Sequence, residues 1–231
     1  MSEATHNTGD TSAIDDTAET DGRRTPPQAW RELQDGNERF ASGRSANADK
    51  DVARRAELAD SQHPFALVFG CGDSRVSAEI VFDQGLGRLF VVRTAGHVVD
   101  SGVLGSVEFG VGHLSIPLVV VLGHDSCGAV QATLDSVRTG VLPPGFVRDI
   151  VERVTPSVLA AQRAGLTSTE EVEAEHVRQT VRLLVDRSAL LSGAVARGEL
   201  AVVGLVYALD DGRVSVVEVL GDVDGASDIE D

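Results

Sequence analysis

Uninterrupted apolar runs alternate along this chain with stretches of helical period, and that alternation sets the architecture. Residues 65–69 (Phe-Ala-Leu-Val-Phe), 89–92, 117–122 and 201–208 are apolar at nearly every position, the pattern of strands buried on both faces. Helical stretches fall between them at 77–82, 103–114, 126–137, 146–164 and 169–197, the last interrupted near Ser188. Pro143-Pro144-Gly145 breaks the third from the fourth. Strands separated by helices predict an α/β fold with a mostly parallel central sheet of about four strands. Residues 214–220 supply one more strand. Asp210-Asp211-Gly212-Arg213 reads as a hairpin turn, so this strand is expected antiparallel at the edge.

Upstream of the first strand the pattern thins. Thr25-Pro26-Pro27 is a helix start, with a hydroxyl cap and proline in the first turn. Trp30, Leu33, Asn37 and Phe40 follow at helical spacing until Gly43. This N-terminal helical arm has one apolar stripe and little around it, so it needs another surface, a second subunit being one candidate. A solvated bridge (44–50) and a short helix at about 51–60 complete the approach. Residues 1–25 have one large apolar residue after the initiator, Ile14. They are expected to be a disordered acidic tail, residues 222–231 a flexible acidic one, and 26–221 the folded domain.

Charge fits this division. The formal charge is −16, but six acids against two arginines in 1–25 and five acids without a base in 221–231 carry nine of those charges, leaving −7 for the domain. No basic face is available for a phosphate backbone, so nucleic acid is not an expected partner. No signal-peptide pattern and no apolar run near the roughly 20 residues of a membrane span is present. A cytoplasmic protein is expected, where the two cysteines stay reduced.

Both cysteines sit at strand ends. Cys71-Gly72-Asp73-Ser74-Arg75 follows the first strand, and His124-Asp125-Ser126-Cys127 follows the third. If these strands are parallel neighbours, Cys71, His124 and Cys127 meet at one end of the sheet. Two thiolates and an imidazole suit zinc and leave a fourth position open. The competing reading is two small core cysteines and a hydrogen-bonded loop histidine. His124 and Cys127, three apart, share one side of a helical turn. Asp73 and Arg75, two apart, can form an ion pair. On a bare surface that pair is worth little, but beside a metal Arg75 would keep Asp73 ionised to accept a hydrogen bond from metal-bound water. Gly128 is expected to let the next helix approach the metal closely.

Cys-x-Asp-Ser-Arg at 71–75, Arg-x-Ala-Gly at 93–96, His-x-x-Cys-Gly at 124–128 and Trp-x-x-Leu-x-x-Gly-Asn-x-Arg-Phe at 30–40 together resemble the beta-class carbonic anhydrases, from about Pro26 to Gly221. The resemblance implies zinc held by Cys71, His124 and Cys127, with Asp73 and Arg75 as a catalytic dyad. It implies reversible hydration of carbon dioxide to bicarbonate and a proton by metal-bound hydroxide, with Asp73 able to become a fourth ligand in a closed state. It further implies a homodimer or a dimer of dimers, in which the N-terminal helix embraces the neighbouring subunit. Gln62 matches a glutamine that reaches the partner's site, and Phe90 and Phe109 match apolar pocket positions. Val68 stands where some members carry a tryptophan of a regulatory bicarbonate site, so that site is not expected.

Other residues are assigned simpler roles. His97 and Asp125 are expected to make loop hydrogen bonds, and His63 and His176 to lie on the surface. Three alternatives compete with this reading. A carbon disulfide or carbonyl sulfide hydrolase would use the same metal site. A non-catalytic bicarbonate-binding zinc module would normally have a fourth protein ligand, which no spacing offers. A dinucleotide enzyme is disfavoured because Gly110-Val111-Gly112 lies inside a helix with no strand before it.

Overall fold

The computed structural model describes residues 24–46 and 52–224. The expected tails lie outside these residues except for Arg24, Thr25 and 222–224, as does most of the bridge before the short helix. Five strands form one sheet: β1 (Ala66–Cys71), β2 (Leu89–Thr94), β3 (Leu118–His124), β4 (Ala201–Tyr207) and β5 (Val214–Leu220). Their spatial order is β2-β1-β3-β4-β5. β1 runs parallel to β2 and β3, β3 runs parallel to β4, and β5 returns antiparallel beside β4. The chain passes from β1 to β2 on one side, then crosses to β3 on the other. That switch opens a crevice beyond the carboxyl ends of β1 and β3, where α/β sheets place ligands.

Alternate residues of each buried strand feed opposite faces. Val68, Val120, Leu122, Val203 and Leu205 pack beneath α1 (Pro26–Ala41) and α3 (Ala78–Val81). Leu67, Phe69, Val119, Val121 and Val202 pack against α4 (Ser101–His113), α7 (Thr169–Arg187) and α8 (Ala189–Ala196). A third cluster gathers Cys71 and Cys127 with α5 (Gly128–Thr139) and α6 (Val147–Arg163). The metal-ligand candidates therefore sit in an apolar wall. α2 (Val52–Glu57) is shorter than its sequence pattern suggested and buries nothing.

The N-terminal helix finds its covering surface within its own domain. Its stripe is buried in its own domain: Ala29, Trp30 and Leu33 join the core under β1 and β3, each large side chain contributing about 1.5–3 kcal/mol. Asn37 adds a polar clasp. Its Nδ2 donates to the carbonyls of Val81 (3.1 Å) and Gly212 (2.8 Å), and its Oδ1 accepts from Val214 N–H (3.1 Å). A stripe announces that a covering surface exists, not whose it is.

Candidate metal centre

Cys71 is the last residue of β1 and His124 the last of β3, while Cys127 caps α5. Their ligand atoms all lie within 4.8 Å of one another, and all three residues are buried. The expected helical turn between His124 and Cys127 is not what joins them. α5 begins only at Gly128, and the chain turns through Ser126 in the left-handed region (φ 54°) before an extended Cys127. Asp125 pins this turn, its N–H donating to Tyr207 O (3.1 Å) and its Oδ2 accepting from Leu209 N–H (2.9 Å).

The donor chemistry fits a soft dication. His124 Nδ1 is 2.7 Å from the Asp125 carbonyl, which can only accept, so Nδ1 carries the proton and Nε2 keeps its lone pair. Nε2 is buried and has no hydrogen-bond partner, a costly state that a metal would relieve. The two thiols share their protons unequally. A hydrogen bond from Cys127 chiefly pulls Cys71 down against its burial, helped by the Gly96 N–H. Cys127 is pushed up by the same bond to Cys71 and by burial.

Asp73 lies beside this group. It accepts from Arg75 three times: Nε to Oδ1 (2.9 Å), Nη2 to Oδ2 (2.7 Å) and the backbone N–H to Oδ1 (2.9 Å). The Arg75 guanidinium holds its carboxyl well below the usual carboxylate range. Asp73 Oδ2 is 4.0 Å from His124 Nε2, within reach of the centre but turned to Arg75. Arg93, near the end of β2, ties the loop down. It donates from Nε to Cys71 O (2.8 Å) and from Nη2 to Asp73 O (2.6 Å).

Behind the ligands lies a polar cluster that the sequence reading missed. Glu173 on α7 is fully buried, and its Oε1 accepts from the His124 N–H (3.2 Å). Burial pushes its carboxyl up to about 8. Gly123 permits the approach, since a Cβ there would stand 2.5 Å from Glu173 Oε1. His97, expected to hydrogen-bond its loop, is fully buried with neither ring nitrogen bonded; Nδ1 is 3.7 Å from Glu173 Oε1. His176, expected on the surface, is only 4% exposed. It contacts Ser157 Oγ and Gly96 O, each at 2.9 Å. The missed signal was positional. Glu173 and His176 fall on the same face of α7 as Val172, Val177, Val181 and Leu184.

The remaining site candidates are not brought to this centre within one chain. Gln62 is exposed and precedes β1, at the opposite end of that strand from Cys71. Phe90 stands opposite Leu67, while Thr94 stands opposite Cys71. Four strand positions, about 13 Å, therefore separate Phe90 from the metal end. Phe90 pairs with Phe109 (ring centroids 6.2 Å), which is 45% exposed. His63 is exposed, as expected. Gly128, next to Cys127, is exposed, and a Cβ there would meet no protein atom within 4 Å.

Residues 66–214 match the family profile described as "Carbonic anhydrase". The chain belongs to the carbonic anhydrase family. It is 56% identical over 198 residues to a carbonic anhydrase of Mycolicibacterium smegmatis, covering 86% of this chain and 96% of that protein. It is 55% identical over the same length and shares to carbonic anhydrase 2 of Mycobacterium tuberculosis. Its fold superposes on a Coccomyxa beta-carbonic anhydrase solved with acetazolamide, with a TM-score of 0.65 and 28% identity, covering 84% of this chain and 90% of that one. The span matched by the family profile, 66–214, contains Cys71, Asp73, Arg75, His124 and Cys127, and also Glu173 and His176. Gln62 lies before it.

Proposed function

We propose that this chain catalyses the reversible hydration of carbon dioxide to bicarbonate and a proton, with zinc held by Cys71, His124 and Cys127. One observation carries the reading: two buried thiols and a partnerless imidazole nitrogen converge beside a carboxylate that an arginine keeps ionised. A sulfur-rich set with one imidazole suits zinc better than magnesium, calcium or manganese. When bound, zinc supplies Lewis acidity that brings the acidity of a coordinated water towards neutrality.

The chain's own groups do the rest. The Cys71 and Cys127 thiolates offset the dication's charge and so weaken that acidification relative to three imidazoles, favouring activity above neutral pH. Asp73, ionised, can only accept a hydrogen bond. A water donating to Oδ2 thereby has its lone pair directed away from the carboxylate and towards substrate carbon. Asp73 Oδ2, now bonded to Arg75 Nη2, would have to turn towards the ligands to join them as a fourth group. The product proton leaves for solvent or buffer.

Gln62, Phe90 and Phe109 are read as substrate-site residues of a neighbouring subunit, since in their own chain they lie far from the metal end. A homodimer or dimer of dimers follows from that reading. Both cysteines are free thiols, and a thiolate ligand set favours a reducing compartment, the cytoplasm. Among the described residues no helix is long and apolar enough to cross a membrane.

Stopped-flow hydration of carbon dioxide combined with metal analysis tests the core of the reading. Cys71→Ser should lose zinc and hydration together. Full zinc and full rate in that variant would end the proposal.

A further inference from the structure

We propose that His176 is a positioning residue for the metal centre: it holds Gly96 so that the Gly96 N–H is aimed at the Cys71 sulfur. The inference rests on reading Cys71 as a metal ligand. Gly96 N–H donates to Cys71 Sγ at 3.4 Å, and the Gly96 carbonyl accepts from His176 Nε2 at 2.9 Å. Gly96 adopts a left-handed conformation (φ 62°) inside a single 3₁₀ turn, Ala95–His97. Glycine has the softest backbone in the chain, so this residue does not hold its own N–H in place. Something outside the turn has to.

His176 is built for that. Its ring is buried, and it lies 4.4 Å from the His97 ring, centroid to centroid. Burial keeps it neutral. A carbonyl can only accept, so the ring proton is on Nε2, and Nδ1 must accept. Ser157 Oγ on α6 stands within hydrogen-bond distance of two acceptors, His176 Nδ1 (2.9 Å) and Gln179 Oε1 (3.1 Å), and its one proton can serve only one of them at a time. When that proton is on Nδ1, Ser157 supports the tautomer that the Gly96 carbonyl requires. One turn earlier on α7, Glu173 accepts from the His124 N–H. A single turn of α7 therefore braces the ligand on β1 and the ligand on β3.

The chemical consequence falls on the thiolate. An N–H aimed at sulfur withdraws charge from it and fixes its direction, and partners of this kind typically govern metal affinity by about 10–100-fold. The test uses the full chain as wild type, His176→Leu, His176→Gln and Ser157→Ala. Two quantities are read: zinc affinity by chelator competition, and the sulfur-to-metal charge-transfer band of the cobalt-substituted protein. His176→Leu should bind zinc about 10–100-fold more weakly, with the band moved to longer wavelength as the thiolate becomes more electron-rich. His176→Gln, whose Nε2 can still donate to the Gly96 carbonyl, should restore both towards wild type. Val181→Ala, on the same face of α7 but remote from Gly96, should lose thermal stability without moving the band.

Unchanged affinity and an unmoved band in His176→Leu would overturn the inference, as would His176→Gln failing as completely as leucine. If His176→Leu does not fold, Ser157→Ala decides: a smaller shift in the same direction supports the role, and none overturns it. A wild-type chain that binds neither metal would instead sink the metal reading itself.

Discussion

Asp73 receives three hydrogen bonds from Arg75, two from the guanidinium and one from the backbone, and this decides its charge throughout the working range. Its carboxyl is depressed by that arginine. Whatever the pair adds to stability is therefore present above the ordinary carboxylate pKa and is lost only as pH falls through the depressed value. Loss of activity between pH 7 and 5 should not come from protonating Asp73. Asp73→Asn makes the separation visible. It should retain zinc, because the three ligands are untouched, while hydration falls about 100-fold or more through loss of a charged acceptor. Stopped-flow rates beside metal content would check this, and a metal-replete variant at full rate would remove Asp73 from the chemistry. These residues were legible in the sequence because they are adjacent in the chain and end apolar runs. His97 and His176 were not, because a histidine in a polar-looking segment gives no sign of its burial until the opposing helix is in place.

Elements tell the same story at greater length. Four strands were visible as apolar runs, and the fifth, the antiparallel edge, was visible in the turn before it. The partner of α1 was not: periodicity gives the direction of a buried face, and only the fold shows that Phe65, Val68 and Phe82 lie opposite it. α7 hid more. A carboxylate among valines fits an amphipathic helix read loosely, yet Glu173 is fully buried, and its raised pKa has a measurable effect. In the metal-free protein the unfolded chain releases this proton near the ordinary glutamate value, while the folded chain keeps it to about 8. Stability contributed by this group is complete below the lower value and declines as pH rises through the higher one, by a few kcal/mol at most. Glu173→Gln carries no such proton. After chelation its thermal midpoint should overtake wild type above pH 8, by roughly 5 °C or more, and fall in line with it near pH 5. Parallel midpoint curves across that range would show that Glu173 is ionised in the fold.

On the scale of the whole molecule, the sheet order explains how two distant motifs form one centre. Gly70 stands opposite Leu122, so β1 and β3 end within one residue of each other and their last residues, Cys71 and His124, meet as candidate ligands. The same register sends Gln62 and Phe90 the other way, towards the amino end of the sheet, and no rearrangement of side chains closes that distance. If they serve catalysis, they serve it on another copy. Mixed assemblies distinguish the two cases. Gln62→Ala retains its own metal ligands but offers no glutamine, whereas Cys71→Ser offers glutamine but has no metal. In a mixed dimer acting in trans, the metal site of the first variant faces the intact Gln62 of the second, giving one complete site of two. Co-expressing the two variants with different affinity tags and isolating the doubly tagged species should therefore recover roughly half the wild-type hydration rate per dimer, a statistical expectation for one rebuilt site. If Gln62 acted on its own chain's metal, every metal-bearing site in that mixture would still lack it. The doubly tagged species would then be no more active than the averaged parents, and Gln62 would have to be reassigned.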